Sequence, residues 1–150
     1  MRFKWFTVLA AASALVAVSA QGADAKVTSA QLKKWEAIDT PFGKADFVWS
    51  TAIQKLSPNS TVAEVQKPCL AFVPAIKTFN KGLSKLGFTG TPGSDVAKLI
   101  KLNLAEIAVF TNIHSVKSFE SDFGALDGQF MSLQAALSKD LGIPEADISL

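Results

Sequence analysis

From residue 28 onward the apolar residues recur at steps of three and four and never alternate strictly, so the chain reads as successive amphipathic helices. A short first helix is expected over about 28–38, with Thr28 or Ser29 as N-cap and Leu32, Trp35 and Ile38 along one side. Thr40-Pro41 is expected to stop it and start the next, because threonine caps and proline suits the first helical position. The second helix would then bury Phe42, Ala45, Trp49, Ala52 and Leu56 on one face.

After a Ser57-Pro58-Asn59-Ser60 loop, Thr61 and Glu64 form a capping box that opens a third helix. Its seam is the most regular in the chain: Val62, Val65, Cys69, Phe72, Ile76, Phe79, Leu83 and Leu86. Pro68 and Pro74 interrupt this seam, predicting a kink or a short helix followed by a longer one. Gly87 to Gly93 is the longest connection. Ser94 then caps a fourth helix reaching about Lys117, with Val96, Ile100, Ile107 and Phe110 as its main buried face and Leu102, Val109 and Ile113 widening it. Asn103 falls on the buried side of that helix, where a polar residue specifies register at some cost in stability.

The fifth helix carries Phe119, Phe123, Leu126, Phe130, Leu133, Leu137 and Leu141, and Gly142 with Pro144 ends it. Residues 145–150 read as a loosely held tail. The expected fold is therefore all-α: an antiparallel up-and-down four-helix bundle with an additional short N-terminal helix. One domain over 21–150 suffices, and no repeat or linker divides it.

The first twenty residues change the picture from a fold to a destination. Arg2 and Lys4 supply a positive start, the stretch from Trp5 to Val18 is apolar apart from Thr7 and Ser13, and Val18-Ser19-Ala20 is a small-residue cleavage pattern. Residues 1–20 are expected to be a signal peptide, with a second plausible cut after Ala25. The run is too short and alanine-rich for a membrane span, so the mature chain is not expected to be an integral membrane protein. No cysteine lies near the cut, so no lipoprotein anchor is expected. The product is thus secreted or extracytoplasmic: the periplasm or cell envelope in a bacterial source.

Charge adds little beyond this. Residues 21–150 hold thirteen lysines, no arginine and thirteen acids, so the +2 of the whole chain comes from Arg2 and Lys4. Residues 26–101 carry eleven lysines and five acids (net +6), whereas 102–150 carry two lysines and seven acids (net −5). Such dipolarity can orient a molecule on a charged surface. The lack of arginine argues against nucleic acid as partner, since bidentate contacts to phosphate and guanine favour it. Cys69 is the sole cysteine, so no internal disulfide can form and stability must come from packing.

Candidate chemistry is sparse. His114, the sole histidine, lies in register with Val96 on a helical wheel, so it is expected to point with the buried stripe. With Met131 it could form an axial haem pair, but no Cys-x-x-Cys-His motif accompanies them. No Glu-x-x-His pair supports a di-iron site, and Glu120, Asp122 and Asp127 fall outward. No metal and no cofactor is expected, and no catalytic residue is assigned. Cys69 sits in the third seam, where a thiol behaves as a small hydrophobe.

Two surface features are candidates for contact. Lys77, Lys81 and Lys85 form a basic stripe suited to an anionic ligand or envelope polymer. Gly124, Gly128, Ser132 and Ala136 form a small-residue row that could support self-association as a homodimer. Asn59-Ser60-Thr61 is a glycosylation sequon in a eukaryotic source.

Together these features predict a secreted, non-enzymatic binding or interaction module that engages a hydrophobic ligand, an envelope component or a protein partner. A haem-binding or redox bundle using His114 is one alternative, and a self-associating structural envelope protein is another. An apolar cavity of several hundred Å³, sought between the third and fourth predicted helices, would favour a small-molecule site.

Overall fold

The computed structural model describes residues 27–57 and 59–150. The expected signal peptide lies outside the described residues. Among those described there are four α-helices, one 3₁₀ turn and no strand: α1 (Ser29–Gln54), α2 (Val62–Leu83), α3 (Gly90–Thr111), α4 (Val116–Leu141) and the turn at Glu145–Asp147. Consecutive helices pack on one another, α1 on α2, α2 on α3 and α3 on α4, as in a bundle. No described helix is long and apolar enough to cross a membrane.

The expected first and second helices are one. Helix α1 starts at a Thr28 capping box with Gln31 and runs through Pro41, which lies in its interior. Proline there leaves the Ala37 carbonyl without its helical donor and costs about 3 kcal/mol or more. Packing on both sides of Pro41 offsets this. Before it, the Trp35 ring meets Phe79 edge-on at 6.1 Å; after it, Phe42 stacks on the same Phe79 at 4.2 Å. Helix α2 is likewise continuous through Pro68 and Pro74, and its Thr61–Glu64 capping box forms as expected.

Helix α3 begins four residues before the expected cap at Ser94. Thr89 occupies the N-cap without a side-chain cap bond, and Pro92 falls near the start, where its missing N–H is harmless. A Cβ at Gly93 would come within 2.6 Å of the Phe88 carbonyl oxygen, so the chain folds tightly here only with glycine. The helix stops at Thr111 rather than near Lys117, because Ser115 makes its own capping box with Ser118 and starts α4 afresh. Gly142, at φ +67, closes α4 in the left-handed conformation, as the sequence predicts.

The tail departs most from expectation. Gln134 Nε2 donates to the Glu145 and Ile148 carbonyls at 3.0 and 2.7 Å, and Ile148 is buried. Ser149 then donates its backbone N–H (3.1 Å) and hydroxyl (3.3 Å) to the Asp39 carboxylate on α1. A Cβ at Gly43 would run into the Ser149 side chain, so α1 is shaped to receive it. The last residues of the chain strap α4 to α1.

The core is a relay of rings. From the Phe42–Phe79 stack it passes to Phe72 (5.4 Å from Phe42), to Trp49 (5.4 Å), and on to Phe110 and Phe123 (5.4 and 5.3 Å from Trp49). Aromatic pairs at such separations add about 0.5–1.5 kcal/mol each beyond area burial. Cys69 lies among them, fully buried and unpaired.

Candidate functional site

Two features share the middle of α1 and α2: an open groove on the outside and a polar cluster behind it. The α1 wall of the groove comprises Ala45, Val48, Trp49, Ala52 and Leu56, and the α2 wall comprises Glu64, Lys67, Pro68, Ala71 and Phe72. Its volume is about 520 Å³ and its lining is overwhelmingly apolar. The gap follows from residue size. Alanines at 45, 52 and 71 cannot bridge the two helices, whereas Trp49 and Phe72, stacked at 5.4 Å, form a rigid floor. Val48 stands 69% exposed on the lip.

Most of the expected face of the second helix thus proved to be the groove wall. The residues of α1 buried in the core are Trp35, Asp39, Phe42, Trp49 and Ser50, with Asp46 and Ile53 half-buried beside them, a face rotated from the expected one and carrying two carboxyls. Helix α3 shows the same rotation. Its buried seam is Val96, Leu99, Asn103, Glu106 and Phe110, not Val96, Ile100, Ile107 and Phe110. Ile100 and Ile107 are half-buried at its edge.

These polar seam residues gather behind Trp49. Glu106 is 5% exposed, and burial raises its pKa to about 8, with the nearby Asp46 carboxyl adding to the rise. Burial alone raises Asp46 to about 7. The Cys69 thiol is pushed up to about 12 by burial, against a smaller lowering from the neighbouring Trp49 indole, with Glu106 adding a lesser rise. That indole N–H nonetheless makes no hydrogen bond of good geometry. A thiol so displaced stays protonated and is a poor nucleophile. One turn along α3, Asn103 Nδ2 donates to Asn80 Oδ1 at 2.7 Å, joining α3 to α2 at the buried position expected to fix register.

Asp39, at the strap, is raised to about 7; burial dominates, the Ser149 hydrogen bonds oppose it, and Asp147 adds a small rise. Among the described residues, no three His, Cys, Asp or Glu side chains are placed to hold a metal ion.

The other sequence candidates are dispersed. His114 does not point with the buried stripe: it is exposed in the α3–α4 connection, because α3 ends before it. Met131 lies fifteen residues into α4, 63% exposed, and at 1.5 Å per residue this puts it roughly 22 Å along the helix from His114's end. The fold does not bring the two together. Lys77 and Lys81 are exposed on α2, beyond the groove, whereas Lys85 is exposed in the turn after the helix ends at Leu83, so the expected three-lysine helical stripe is cut short. Gly124, Gly128, Ser132 and Ala136 follow one face of α4, and a Cβ at either glycine would meet nothing within 4 Å.

No family model, curated protein or solved structure matches this chain. The site must therefore be read from its own geometry.

Sequence reasoning missed the Asp46–Glu106 pair because it treated carboxylates as outward by default. The signal was present in the spacing. Glu106 is three residues from Asn103 and four from Phe110, and Asp46 is four from Phe42 and three from Trp49. Both continue the three-four rhythm of their own seams.

Proposed function

We propose that this chain is an exported, non-catalytic binding module, an antiparallel up-and-down bundle that holds a small apolar molecule in the α1/α2 groove. The observation that carries the reading is the groove itself. At about 520 Å³ it falls within the usual range for small-molecule sites, and its walls are apolar with two charged residues among them. The aromatic floor is buried and braced by neighbouring rings, so the site is preformed and binding spends little on ordering it.

Burial supports the non-catalytic reading: the Cys69 thiol and Glu106 are buried, with Asp46 half-buried on α1. Export rests on the Arg2/Lys4 start, the apolar run and the Ala20 cut.

Two measurements test this. Titration with a solvatochromic apolar dye should give saturable, one-site binding in the native protein, abolished by Ala71→Phe with the thermal midpoint unchanged. An absence of saturable binding, or binding untouched by Ala71→Phe, would sink the groove reading. Separately, N-terminal sequencing of the processed protein should begin at Gln21 or Lys26.

A further inference from the structure

We infer that the groove's ligand is a single-chain amphiphile bearing a carboxylate, held by Lys67 on the α2 wall. This deepens the binding reading above and rests on it. The lining offers two charged side chains, Glu64 and Lys67, and they are not equivalent. The Glu64 carboxylate is already engaged: its Oε2 accepts from the Thr61 N–H at 2.7 Å and the Thr61 hydroxyl at 2.9 Å. These bonds lower its pKa, and its charge sits at the positive end of α2.

Lys67 has no such engagement. Among the described residues the one ion pair is Lys98–Asp95, at 2.6 Å on α3. Glu64 precedes Lys67 by a single turn, yet the two do not pair. The Lys67 ammonium is therefore exposed at the lip with its charge unspent.

The remaining lining supplies no competing donor. Pro68 has no N–H, the alanines, Val48, Leu56 and Phe72 have no polar side-chain atom, and the Trp49 indole nitrogen is buried. Lys67 is thus the one charged side chain of the lining without an intramolecular partner, and a headgroup it recognises is an acceptor for an ammonium, which is the chemistry of an anion. The body of the ligand is set by shape. From Ala45 to Leu56 the α1 wall spans about 16 Å at 1.5 Å per residue, a narrow slot between two adjacent helices. One extended hydrocarbon chain fits along it. The headgroup lies beside Lys67, and the tail runs over Trp49 and Phe72 toward Ala45.

Calorimetric titration of the full chain with decanoate, decanol and decyltrimethylammonium separates the possibilities. Decanoate should bind most tightly, and Lys67→Gln should weaken it about two- to fivefold, toward the value for decanol, as expected for an exposed ion pair. Lys67→Glu should weaken it further, and added salt should weaken decanoate but not decanol. Equal affinity for decanoate and decanol, or a Lys67→Gln variant with unchanged decanoate binding, would overturn the carboxylate assignment while leaving the groove reading intact. Preference for the cationic amphiphile would overturn it in favour of Glu64. Failure of all three probes to bind would overturn both.

Discussion

The α1/α2 seam and the α3/α4 seam use similar helices and differ in what they put at their margins. Between α3 and α4, Phe110, Phe119 and Phe123 stand 5.7 to 6.2 Å apart and fill the space between the helices. Between α1 and α2 the deep rings are equally close, with Phe42 and Phe79 at 4.2 Å, but alanines line the outer margin and a groove remains. The difference shows that room for a ligand here is a matter of side-chain volume rather than of helix separation. A packed floor beneath small walls makes a site; large walls make only a core.

The comparison breaks most visibly if the filled seam is emptied. Phe110 is fully buried and touches rings from α1, α2 and α4, so Phe110→Ala should destabilise the protein by about 3–5 kcal/mol, read as a drop in the urea midpoint. Ile148→Ala comes next. It should cost roughly 2 kcal/mol or more, since Ile148 is 3% exposed, and proteolysis of the last residues should accelerate with it. A tail that is cleaved no faster than in the native protein would show that the strap to α1 does not depend on this contact.

The polar cluster behind Trp49, together with Asp39 at the strap, sharpens the comparison through pH. Asp39, Asp46 and Glu106 all have raised folded-state pKa values, about 7, 7 and 8, against ordinary values of 3.8, 3.8 and 4.5. The fold therefore prefers them protonated. Their contribution is fully present below about pH 4, declines as pH rises between the ordinary and the raised values, and is gone above about pH 8. Thermal midpoints should accordingly fall from mild acid toward pH 8. Glu106→Gln should flatten that fall and leave the protein more stable than wild type at pH 8. A midpoint that rises over this range would contradict the burial of the pair. The smallest stability effect belongs to the groove margin: Ala71→Phe should change stability by no more than about 0.5 kcal/mol, because the new ring enters open space at an exposed position.

How much of this was legible in the residues varies along the chain. The α2 seam from Val65 to Leu83 is where the spacing put it, as is the α4 seam from Phe119 to Leu141 except that Phe123 and Leu126 are half-buried, and the Thr61–Glu64 box and the Gly142 stop form as read. Local chemistry sufficed because each signal is completed within one or two turns. Pro41 was misleading for the complementary reason. Its local meaning is a break, but Trp35 and Phe42 on either side are anchored to one residue, Phe79, thirty-seven or more positions away. The buried carboxyls were misleading too, because their cost is set by neighbours from other helices.

By itself the sequence determined that this protein is a set of amphipathic helices with caps, stops and greasy stripes, since those depend on periodicity and on groups a few residues apart. Only the tertiary structure decided that α1 runs unbroken, that acids enter its seam, that the tail straps α4 to α1, and that α1 and α2 leave a groove. Each of these turns on which side chains from distant positions meet and on the volume they occupy together, and no local pattern encodes that.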